Sequence, residues 1–544
     1  MPTRTQQAEL QRIASGLQRA ETLNDADTQL DLYLQLARLT PNVALVHAQI
    51  AHLALDKGEE ALARPHVFKA LAQQPDIAVD ALLFQHLCKL PTYTSELDQA
   101  RAWFEAQPNL WRFKLFYEAL QANDSTHELE PLLLRMLRTS LTANEQSQLM
   151  TLLGQRYYEE ARFHDAVGCY RLGLELTPGN QTQLFNLGTA LEQLGRYVEA
   201  VDFYKKVLLI DASNPGIHNN LGIVMLRLGE YEQGWKQYEW RWKSSQLEHE
   251  QIFNIPRWRG EALDGKSLLV WGEQGIGDHI MFSSMLNELR ARGGTLHYEI
   301  YARLDPLFER SFPGMTFLRR ETVGEAEQNG QQMFKQKWPK ADFQIPMGSL
   351  GTVFRNDAAS FGDAAPYLEA DNQLVEEFKA KYSMMFPGKR LIGLSWRGGK
   401  ALHTERQSRR VSFADLGLLS QLKNVQFIDL QYDSTPEDRL ALQQQGLAIY
   451  RDESFDPTSM MDAPAAQMCA LEAIISVDNS TVHLAGALGV PVYALIQLNP
   501  NWRWGLKEGP SIWYSSVNVF RNPRITDWQE PLQRIIAALK RRPG

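Results

Sequence analysis

The sequence predicts two regions of different fold class: helical repeats in the first half, and an α/β structure of the doubly wound type in the second. Three observations support this prediction. Glycines and aromatic residues recur at a step of 34 residues before residue 245. A glycine-rich turn follows an apolar run near residue 271, and a polar turn follows a β-branched apolar run near residue 477. Each turn leads into a helical pattern, and this alternation is typical of parallel sheets.

The repeat step is visible in three columns of residues. The columns are Gly154, Gly188 and Gly222; Phe163, Tyr197 and Tyr231; and Tyr170, Tyr204 and Tyr238. A glycine lets two helices approach closely, and an aromatic ring fills the gap to the next repeat. These segments resemble tetratricopeptide repeats, which are pairs of antiparallel helices. We expect residues 1–245 to form one solenoid, clear over 150–243 and degenerate upstream, whose groove binds a protein partner.

Composition narrows the classes of function. The formal net charge of −8 and the pI near 5.9 argue against nucleic-acid binding. No stretch has the length of a signal peptide core or of a membrane span, so we expect a cytoplasmic protein. The cysteines lack metal-ligand spacing, and we interpret them as buried free thiols in a reducing compartment. They are Cys88, Cys169 and Cys469.

Tryptophans cluster where the repeats end. Trp235, Trp240, Trp242 and Trp258 lie within a short stretch of sequence. We expect them to seal the last repeat against the following domain, because buried aromatic residues are common at such joints. Stacking on a sugar is the alternative function for one of them.

The glycine-rich turn covers Gly272 to Asp278. It follows the predicted strand Ser267 to Trp271 and precedes a helix from about His279 to Arg292. Gly275 and Gly277 leave room for an acceptor to approach a cleft, or else permit tight packing of the strand on the helix. Further strands are expected at 296–301 and 343–346.

Two strand ends carry basic or polar side chains. The predicted strand 391–396 runs into a basic glycine turn, and the strand 425–430 leads to Gln431. Basic residues follow the first of these strands at Arg397, Lys400, Arg406, Arg409 and Arg410. A basic run is either a solvated surface or the compensating charge for a diphosphate bound at the carboxyl end of a strand.

The polar turn at residues 478–481 is the organising element of the second half. The strand 474–477, the turn, a helix from Val482 to Leu488 and a strand from Val492 to Ile496 follow one another. The first N–H groups of that helix suit a phosphate. The alternative is that Ser480 or Thr481 only caps an ordinary helix.

Three segments carry a more specific resemblance. EQGIGDHIMF, IGLSWRGGK and SVDNSTVHLAGALGVPVYALI, in this order, resemble the GT-B glycosyltransferases related to bacterial heptosyltransferases, in the variant fused behind tetratricopeptide repeats. The resemblance covers Arg257 to the C-terminus. It implies two Rossmann-like domains facing a cleft, with residues 257–385 on the acceptor side and 386–544 binding a nucleotide-sugar donor. It also implies inverting transfer, with no metal and no cofactor.

The resemblance assigns roles to individual residues. The aspartate of the first turn, Asp278, is expected to be the general base; His279 is the rival base, and capping the helix is the non-catalytic alternative for Asp278. Arg397 or Lys400 is expected to contact the donor phosphates. The remaining donor-site residues are Arg409, Gln431, Asp478, Asn479, Ser480, Thr481 and His483. The family's usual threonine and glycine after the aspartate are Asn479 and Ser480 here.

Repeats fused to such a transferase resemble bacterial protein O-glycosyltransferases, some of which modify flagellin. The resemblance implies transfer of a sugar from a nucleotide-sugar to a hydroxyl of a protein acceptor recruited by the repeats. Two alternatives stay open: an interaction scaffold with a degenerate transferase domain, and a transferase acting on lipopolysaccharide or another carbohydrate.

Overall fold

A computed structural model of the chain describes residues 4–72, 77–243, 254–273, 275–320, 338–398, 409–523 and 527–541. The chain forms two compact units, Met1–Gln183 and Leu184–Gly544. The second unit contains the last repeat helices together with both β-sheets. The predicted domain limits at residues 245, 257 and 385 stay predictions.

The first unit is helical throughout its described part. Its helices are Arg4–Thr22, Ala26–Leu39, Ala44–Asp56, Glu60–Leu71, Ile77–Leu87, Pro91–Thr94, Leu97–Ala106, Leu110–Ala122, Leu129–Met136, Ala143–Glu159 and Phe163–Leu176, and helix Gln181–Gln193 begins at its end. Neighbouring helices in the chain pack against each other, as the repeat pattern predicts.

The glycine column marks close helix contacts. A Cβ atom placed on Gly154 would lie 2.6 Å from a ring carbon of Tyr170, and one on Gly188 would lie 2.6 Å from Tyr204. Real Cβ atoms do not approach this closely, so only glycine fits beneath each ring. The prediction of close packing is confirmed, and each tyrosine covers the glycine of its own helix pair.

Four helical segments begin the second unit after helix Gln181–Gln193. They are the helices Tyr197–Ile210, Pro215–Leu228 and Tyr231–Tyr238 and the 3-10 helix Glu239–Lys243. Trp235 is buried against Gly351, and its indole N–H donates to the Arg355 carbonyl at 2.7 Å. Trp235 and Trp258 are each 1% exposed. Trp235 therefore lies in the joint between the last repeat helices and the α/β structure, and neither of these two buried tryptophans is available to stack on a sugar.

The first sheet has four strands: β1 (Ser267–Trp271), β2 (Thr295–Tyr301), β3 (Thr316–Arg320) and β4 (Phe343–Pro346). Their order is β3-β2-β1-β4, and all neighbours are parallel. The chain moves outward from β1 to β3 and then crosses to the other side of β1. The topological switch point therefore lies between β1 and β4. The helices of this layer are Ile276–Phe282, Leu286–Arg290, Asp305–Ser311 and Gly351–Phe354.

The second sheet has seven strands: β5 (Arg390–Ser395), β6 (Val425–Asp429), β7 (Ile449–Tyr450), β8 (Ala473–Val477), β9 (Val492–Ile496), β10 (Gly509–Pro510) and β11 (Val517–Arg521). Their order is β10-β11-β9-β8-β5-β6-β7, and only β10 is antiparallel to its neighbour. The switch point lies between β5 and β8, where the chain changes direction across the sheet. The helices of this layer are Asn372–Met385, Phe413–Leu416, Pro436–Gln444, Asp462–Cys469, Ser480–Ala487 and Gln529–Arg541.

The described residues also bear on the predictions about membrane spans and cysteines. None of the described helices combines the length and the apolar content that a bilayer crossing needs. The three cysteines are free thiols; Cys169 is buried, whereas Cys88 and Cys469 are half-buried.

Candidate functional site

A cleft of about 450 Å³ lies where the two switch points meet. It is lined by the turn after β1, the turn after β8 and the loop that carries Arg503. Ligands of open parallel sheets bind beyond the carboxyl ends of the strands at a switch point, and this volume is in the range of small-molecule sites. Helix Ile276–Phe282 packs on helix Ser480–Ala487 and holds the two turns together.

Gly277 sets the spacing of these two helices. A Cβ atom on Gly277 would lie 3.0 Å from Cδ2 of His483. The His483 ring is held in turn by Trp504, whose ring is stacked at 5.3 Å, and by a 2.8 Å hydrogen bond between Nδ1 and the Tyr514 hydroxyl. Gly277 thus makes room for His483, whereas the sequence predicted room for an acceptor. At Gly275 the nearest atom to an added Cβ is 3.8 Å away, so space is present there.

Asn479 builds the turn after β8. Its Oδ1 accepts from the Thr481 N–H at 3.0 Å, and its Nδ2 donates to Ser395 Oγ at 2.8 Å. The helix cap is therefore Asn479, which corrects the alternative that Ser480 or Thr481 caps the helix. Because the cap also ties the end of β8 to the end of β5, the N-terminus of helix Ser480–Ala487 has a fixed position in the cleft.

Arg409 reaches the same turn from the loop after β5. The Gly398 N–H donates to the Arg409 carbonyl at 3.1 Å, and the Val411 N–H donates to the Trp396 carbonyl at 3.0 Å. This pairing brings Arg409 Nε to 3.8 Å from Oδ2 of Asp478, which is within ion-pair distance but too long for a hydrogen bond. The Arg409 side chain lines the cleft.

Four buried nitrogens of cleft-lining residues have no hydrogen-bond partner within the described part of the chain. They are Arg303 Nε, Arg409 Nε, Arg503 Nε and His483 Nε2. Burial, with the nearby Arg503 charge, lowers the pKa of His483 to about 3, so the ring is neutral at pH 7. In the tautomer in which the Tyr514 hydroxyl donates to Nδ1, the ring proton lies on Nε2 and this nitrogen is a donor. Buried donors without acceptors are costly, and an anionic ligand in the cleft would supply acceptors.

Asp478 supplies the negative charge in this group. It is 3% exposed. Burial opposes its ionisation, but the charges of Arg409 and Arg503 outweigh burial and hold the pKa of Asp478 below its ordinary value. Among the residues that line the cleft, the guanidinium groups of Arg303, Arg409 and Arg503 outnumber the carboxylates of Asp278 and Asp478 by one, and the helix N-terminus adds to that positive sign. The arrangement therefore suits an anionic ligand.

Asp278 faces this group across the cleft from the turn after β1. Its Oδ1 accepts from Arg503 Nη2 at 2.5 Å, and its Oδ2 accepts from the Gly275 N–H at 3.2 Å. Arg503 is raised in pKa, because the charges of Asp278 and Asp478 outweigh the effect of its burial. The capping geometry predicted as the non-catalytic alternative is present. Asp278 also lines the cleft, so a cap and a base are both compatible with its position.

His279 points the other way. It is fully buried, its ring lies 4.6 Å from that of Tyr301, and burial with the Arg320 charge lowers its pKa to about 3. The His279 ring also packs closely on Gly272, where an added Cβ atom would lie 2.5 Å from a ring carbon of His279. His279 was the rival to Asp278 as the predicted general base. The structure corrects that expectation, because neighbouring positions at a helix start project in different directions and this one enters the core.

Arg397 and Gln431 also differ from their predicted roles. The Arg397 guanidinium is paired with Asp433 at 3.1 Å and with Asp438 at 2.7 Å, so its charge is already compensated. Gln431 is fully buried, and its Oε1 accepts from the backbone N–H groups of Trp396 and Arg397 at 3.0 Å each. Gln431 therefore shapes the loop after β5 instead of facing a ligand. Lys400 lies outside the described residues.

Sequence reasoning missed Arg503. It lies in the 3-10 helix Trp502–Trp504, beyond the carboxyl end of β9. The sequence contained a signal for Arg503. Strand β9 was predicted, and the segment Asn501 to Trp504 follows it shortly after its carboxyl end, where ligand-binding residues are expected. Arg303 also lines the cleft, and burial lowers its pKa. Sequence reasoning missed this residue because it lies on the short 3-10 helix Ala302–Leu304 directly after β2.

Comparison with known proteins identifies the repeats. Residues 190–229 match the family model described as TPR repeat. Protein FlbA of Caulobacter vibrioides is 32% identical over 324 residues, which are 58% of this chain and 54% of FlbA. The peroxisomal targeting signal receptor of Kluyveromyces lactis is 30% identical over 81 residues, 15% of this chain and 14% of that protein. The chain thus spans about half the length of FlbA and a smaller share of the receptor.

Two solved structures are similar to parts of the chain. A glycosyl transferase family 9 protein from Veillonella parvula is 14% identical and covers 53% of this chain and 92% of its own, with a TM-score of 0.36. The C-terminal part of a TPR repeat-containing protein from Cytophaga hutchinsonii is 14% identical and covers 41% and 92%, with a TM-score of 0.33. The strand order and the helix pairs of this chain define its fold, because both TM-scores are below 0.5. The chain combines tetratricopeptide-type helices with parallel-sheet α/β structure.

Proposed function

We propose that the protein is a glycosyltransferase that moves a sugar from a nucleotide-sugar to a hydroxyl of a protein acceptor. One observation carries the proposal: Arg409, Arg503, His483 and the N-terminus of helix Ser480–Ala487 converge on one cleft with unsatisfied donors. A diphosphate carries two or more negative charges and accepts hydrogen bonds on every side. The chain's own arginines supply the compensating charge, so we propose that no metal is needed.

Asp278 serves as the general base in this proposal. The acceptor oxygen attacks the anomeric carbon, its proton passes to Asp278, and the bond from that carbon to the diphosphate breaks with its electron pair on the leaving nucleoside diphosphate. Arg409 and Arg503 offset the charge that develops on the leaving group. Attack from the side opposite the diphosphate inverts the anomeric configuration.

The ion pair between Asp278 and Arg503 adds an order to these steps. In the free protein Arg503 Nη2 donates to Asp278 Oδ1, so a hydroxyl that approaches this oxygen must share it with a guanidinium group. A bound diphosphate offers Arg503 a doubly charged partner in place of a single carboxylate. We therefore propose that donor binding draws Arg503 away and releases Asp278 as a base. The base is then unmasked only when a donor is present.

Contacts between the repeats and the cleft loop support a protein acceptor. The Tyr197 hydroxyl donates to the Leu498 carbonyl at 3.3 Å, and Arg227 Nε donates to the Pro500 carbonyl at 2.9 Å. The Trp235 ring meets the Trp502 ring edge-on at 5.3 Å. Repeat helices thus hold the segment that carries Arg503. A polypeptide bound to these repeats would lie beside the site of transfer.

The first test is binding and turnover with defined probes. We expect one of ADP, GDP, UDP, CDP or dTDP to bind the full chain in calorimetry, and the matching nucleotide-sugar to release that nucleotide in the presence of EDTA. Failure of all five to bind would favour the scaffold alternative. Flagellin is the first protein acceptor to try, with a mass shift of one sugar as the readout. Transfer to an oligosaccharide or lipopolysaccharide acceptor and to no protein would favour the carbohydrate transferase.

A further inference from the structure

A cluster of two histidines and one aspartate lies in the first compact unit, remote in sequence from the cleft residues. His52 and Asp56 belong to helix Ala44–Asp56, four positions apart and therefore on one face. His86 belongs to helix Ile77–Leu87, which packs against the first helix. His86 follows His52 by 34 residues, so the two histidines occupy the same position in successive repeats.

The three side chains are close enough to share one ion. Asp56 Oδ2 lies 3.6 Å from His52 Nε2, and Asp56 Oδ1 lies 3.6 Å from His86 Nδ1. One ligand atom from each residue lies within 4.8 Å of the others. Around a tetrahedral Zn²⁺, with nitrogen ligands at about 2.0–2.1 Å and carboxylate oxygen at about 2.0–2.2 Å, ligand atoms are about 3.3 Å apart. The carboxylate already sits near this spacing from both rings.

We propose that His52, Asp56 and His86 form a site for a borderline divalent transition metal such as Zn²⁺. Two imidazoles and one carboxylate are a ligand set for zinc, cobalt, nickel or copper, and they are unsuited to Mg²⁺ or Ca²⁺, which select oxygen ligands. The Asp56 side chain is 53% exposed, so a fourth position is open to water or to a partner's ligand.

The site would join consecutive repeats where the sequence pattern is degenerate. His52 Nδ1 and His86 Nε2 lie 2.7 Å apart, so the two helices are already tied by one hydrogen bond. A metal ion would replace this contact with bonds to both helices and to Asp56. Since a ligand that binds only the folded state adds to stability, metal should raise the unfolding temperature of the first unit.

A second histidine pair in the same region provides the control. His47 Nδ1 and His66 Nδ1 lie 2.8 Å apart, but His47 Nε2 lies 2.9 Å from the Pro41 carbonyl. Within the described residues this pair has no carboxylate or thiol close enough to complete a site. His66→Gln therefore removes a paired histidine from the neighbouring helix Glu60–Leu71 without removing a proposed ligand.

The experiment titrates ZnCl₂ into the full chain, without a histidine tag and freed of metal, by calorimetry, with CoCl₂ absorption as a second probe. We expect one site whose affinity falls in His86→Gln by more than the roughly 10- to 100-fold that loss of even an outer-shell partner costs. His66→Gln should bind as the unchanged protein does. Zinc should raise the unfolding temperature of the unchanged protein and of His66→Gln only.

Asp56→Asn keeps both histidines and alters a half-exposed side chain, so it tests the site without relying on His86→Gln to fold. We expect it to lose the zinc-dependent rise in unfolding temperature. Equal zinc binding by the unchanged protein, His86→Gln and Asp56→Asn would overturn the proposal, and so would the absence of any zinc or cobalt binding to the unchanged protein. Because none of these readouts involves nucleotides, they are independent of the proposed transferase activity.

Discussion

The turns after β1 and β8 have the same design and opposite chemistry. Each lies at a switch point between a parallel strand and a helix that borders the cleft. In the first turn the polar groups already have partners: Glu273 accepts from Arg241 and from the Gly348 N–H, and Asp278 accepts from Gly275 and Arg503. In the second turn the cap is satisfied internally, while Arg409, Arg503 and His483 direct unsatisfied nitrogens to the cleft.

The difference shows how one motif serves two purposes. A turn whose acidic groups all have partners within the protein is held in a fixed position, and in our proposal its Asp278 reacts only after Arg503 has left it. A turn surrounded by donors without acceptors is prepared for a ligand that is not part of the chain. Substitutions in either turn should therefore have different consequences for stability, ligand binding and turnover.

Arg241→Ala should have the largest effect, because it breaks the saturated turn. The Arg241 guanidinium is fully buried and donates to Glu273 at 2.7 and 2.9 Å. Its loss leaves a buried carboxylate without its counter-charge, and breaking such a pair costs about 3–5 kcal/mol of unfolding free energy. Urea unfolding followed by tryptophan fluorescence measures this. Lys236→Ala, which breaks an exposed pair with Glu232, should cost less than about 1 kcal/mol.

Asp278→Asn separates the base from the cap. An asparagine still caps the helix but cannot accept the proton, so transfer should fall by about 10²-fold or more. Nucleoside diphosphate affinity should rise, because Arg503 no longer has to leave a carboxylate to reach the phosphates. Steady-state turnover and calorimetry of the same preparation give both values. A parallel fall in affinity and turnover would mean that Asp278 has a structural role only.

Arg409→Ala compared with Arg397→Ala tests which arginine of the basic run faces the ligand. One charge-assisted hydrogen bond contributes about 1.5–3 kcal/mol, so Arg409→Ala should weaken diphosphate binding by about one to two powers of ten. Arg397 is held by Asp433 and Asp438. We expect Arg397→Ala to change affinity by less than about threefold. The reverse order of effects would return the phosphate site to the position predicted from sequence.

Gly277→Ala should have the smallest effect. The added methyl group meets a His483 ring that Trp504 and Tyr514 prevent from moving, and overpacking at such a contact costs about 1 kcal/mol after the gain in helix propensity. Gly275→Ser is the matched control, since Gly275 has φ −88° and ψ 174°, serine is a good N-cap, and the nearest atom to its Cβ is 3.8 Å away. Thermal unfolding compares the two. An equal loss in both variants would show that the turn resists any side chain.

Much of the architecture is determined by sequence alone, because it depends on local periodicity. The strands β1, β2, β4, β5, β6, β8 and β9 lie close to their predicted bounds, and so does the helix after the second turn. The single helix predicted from about His279 to Arg292 is instead divided into Ile276–Phe282 and Leu286–Arg290, which the 3-10 helix Ser283–Met285 joins. The tyrosine and glycine columns identify the repeats. Each glycine and the tyrosine that covers it belong to one helix pair, so their spacing in the sequence is enough to predict the contact. The polar turn after β8 was recognised because small polar residues between a buried strand and a helix are characteristic of a ligand turn.

Only the tertiary structure decided which charged groups line the cleft. Arg397 and Arg409 belong to one basic run, yet acidic side chains from the loop and helix after β6 compensate the first and leave the second in the cleft. His279 and Asp278 are neighbours, yet one enters the core and the other lines the site. Arg503 became a site residue because the repeats and β9 place its loop opposite Asp278. Such assignments depend on which groups meet across hundreds of residues, and no local pattern in the sequence contains that information.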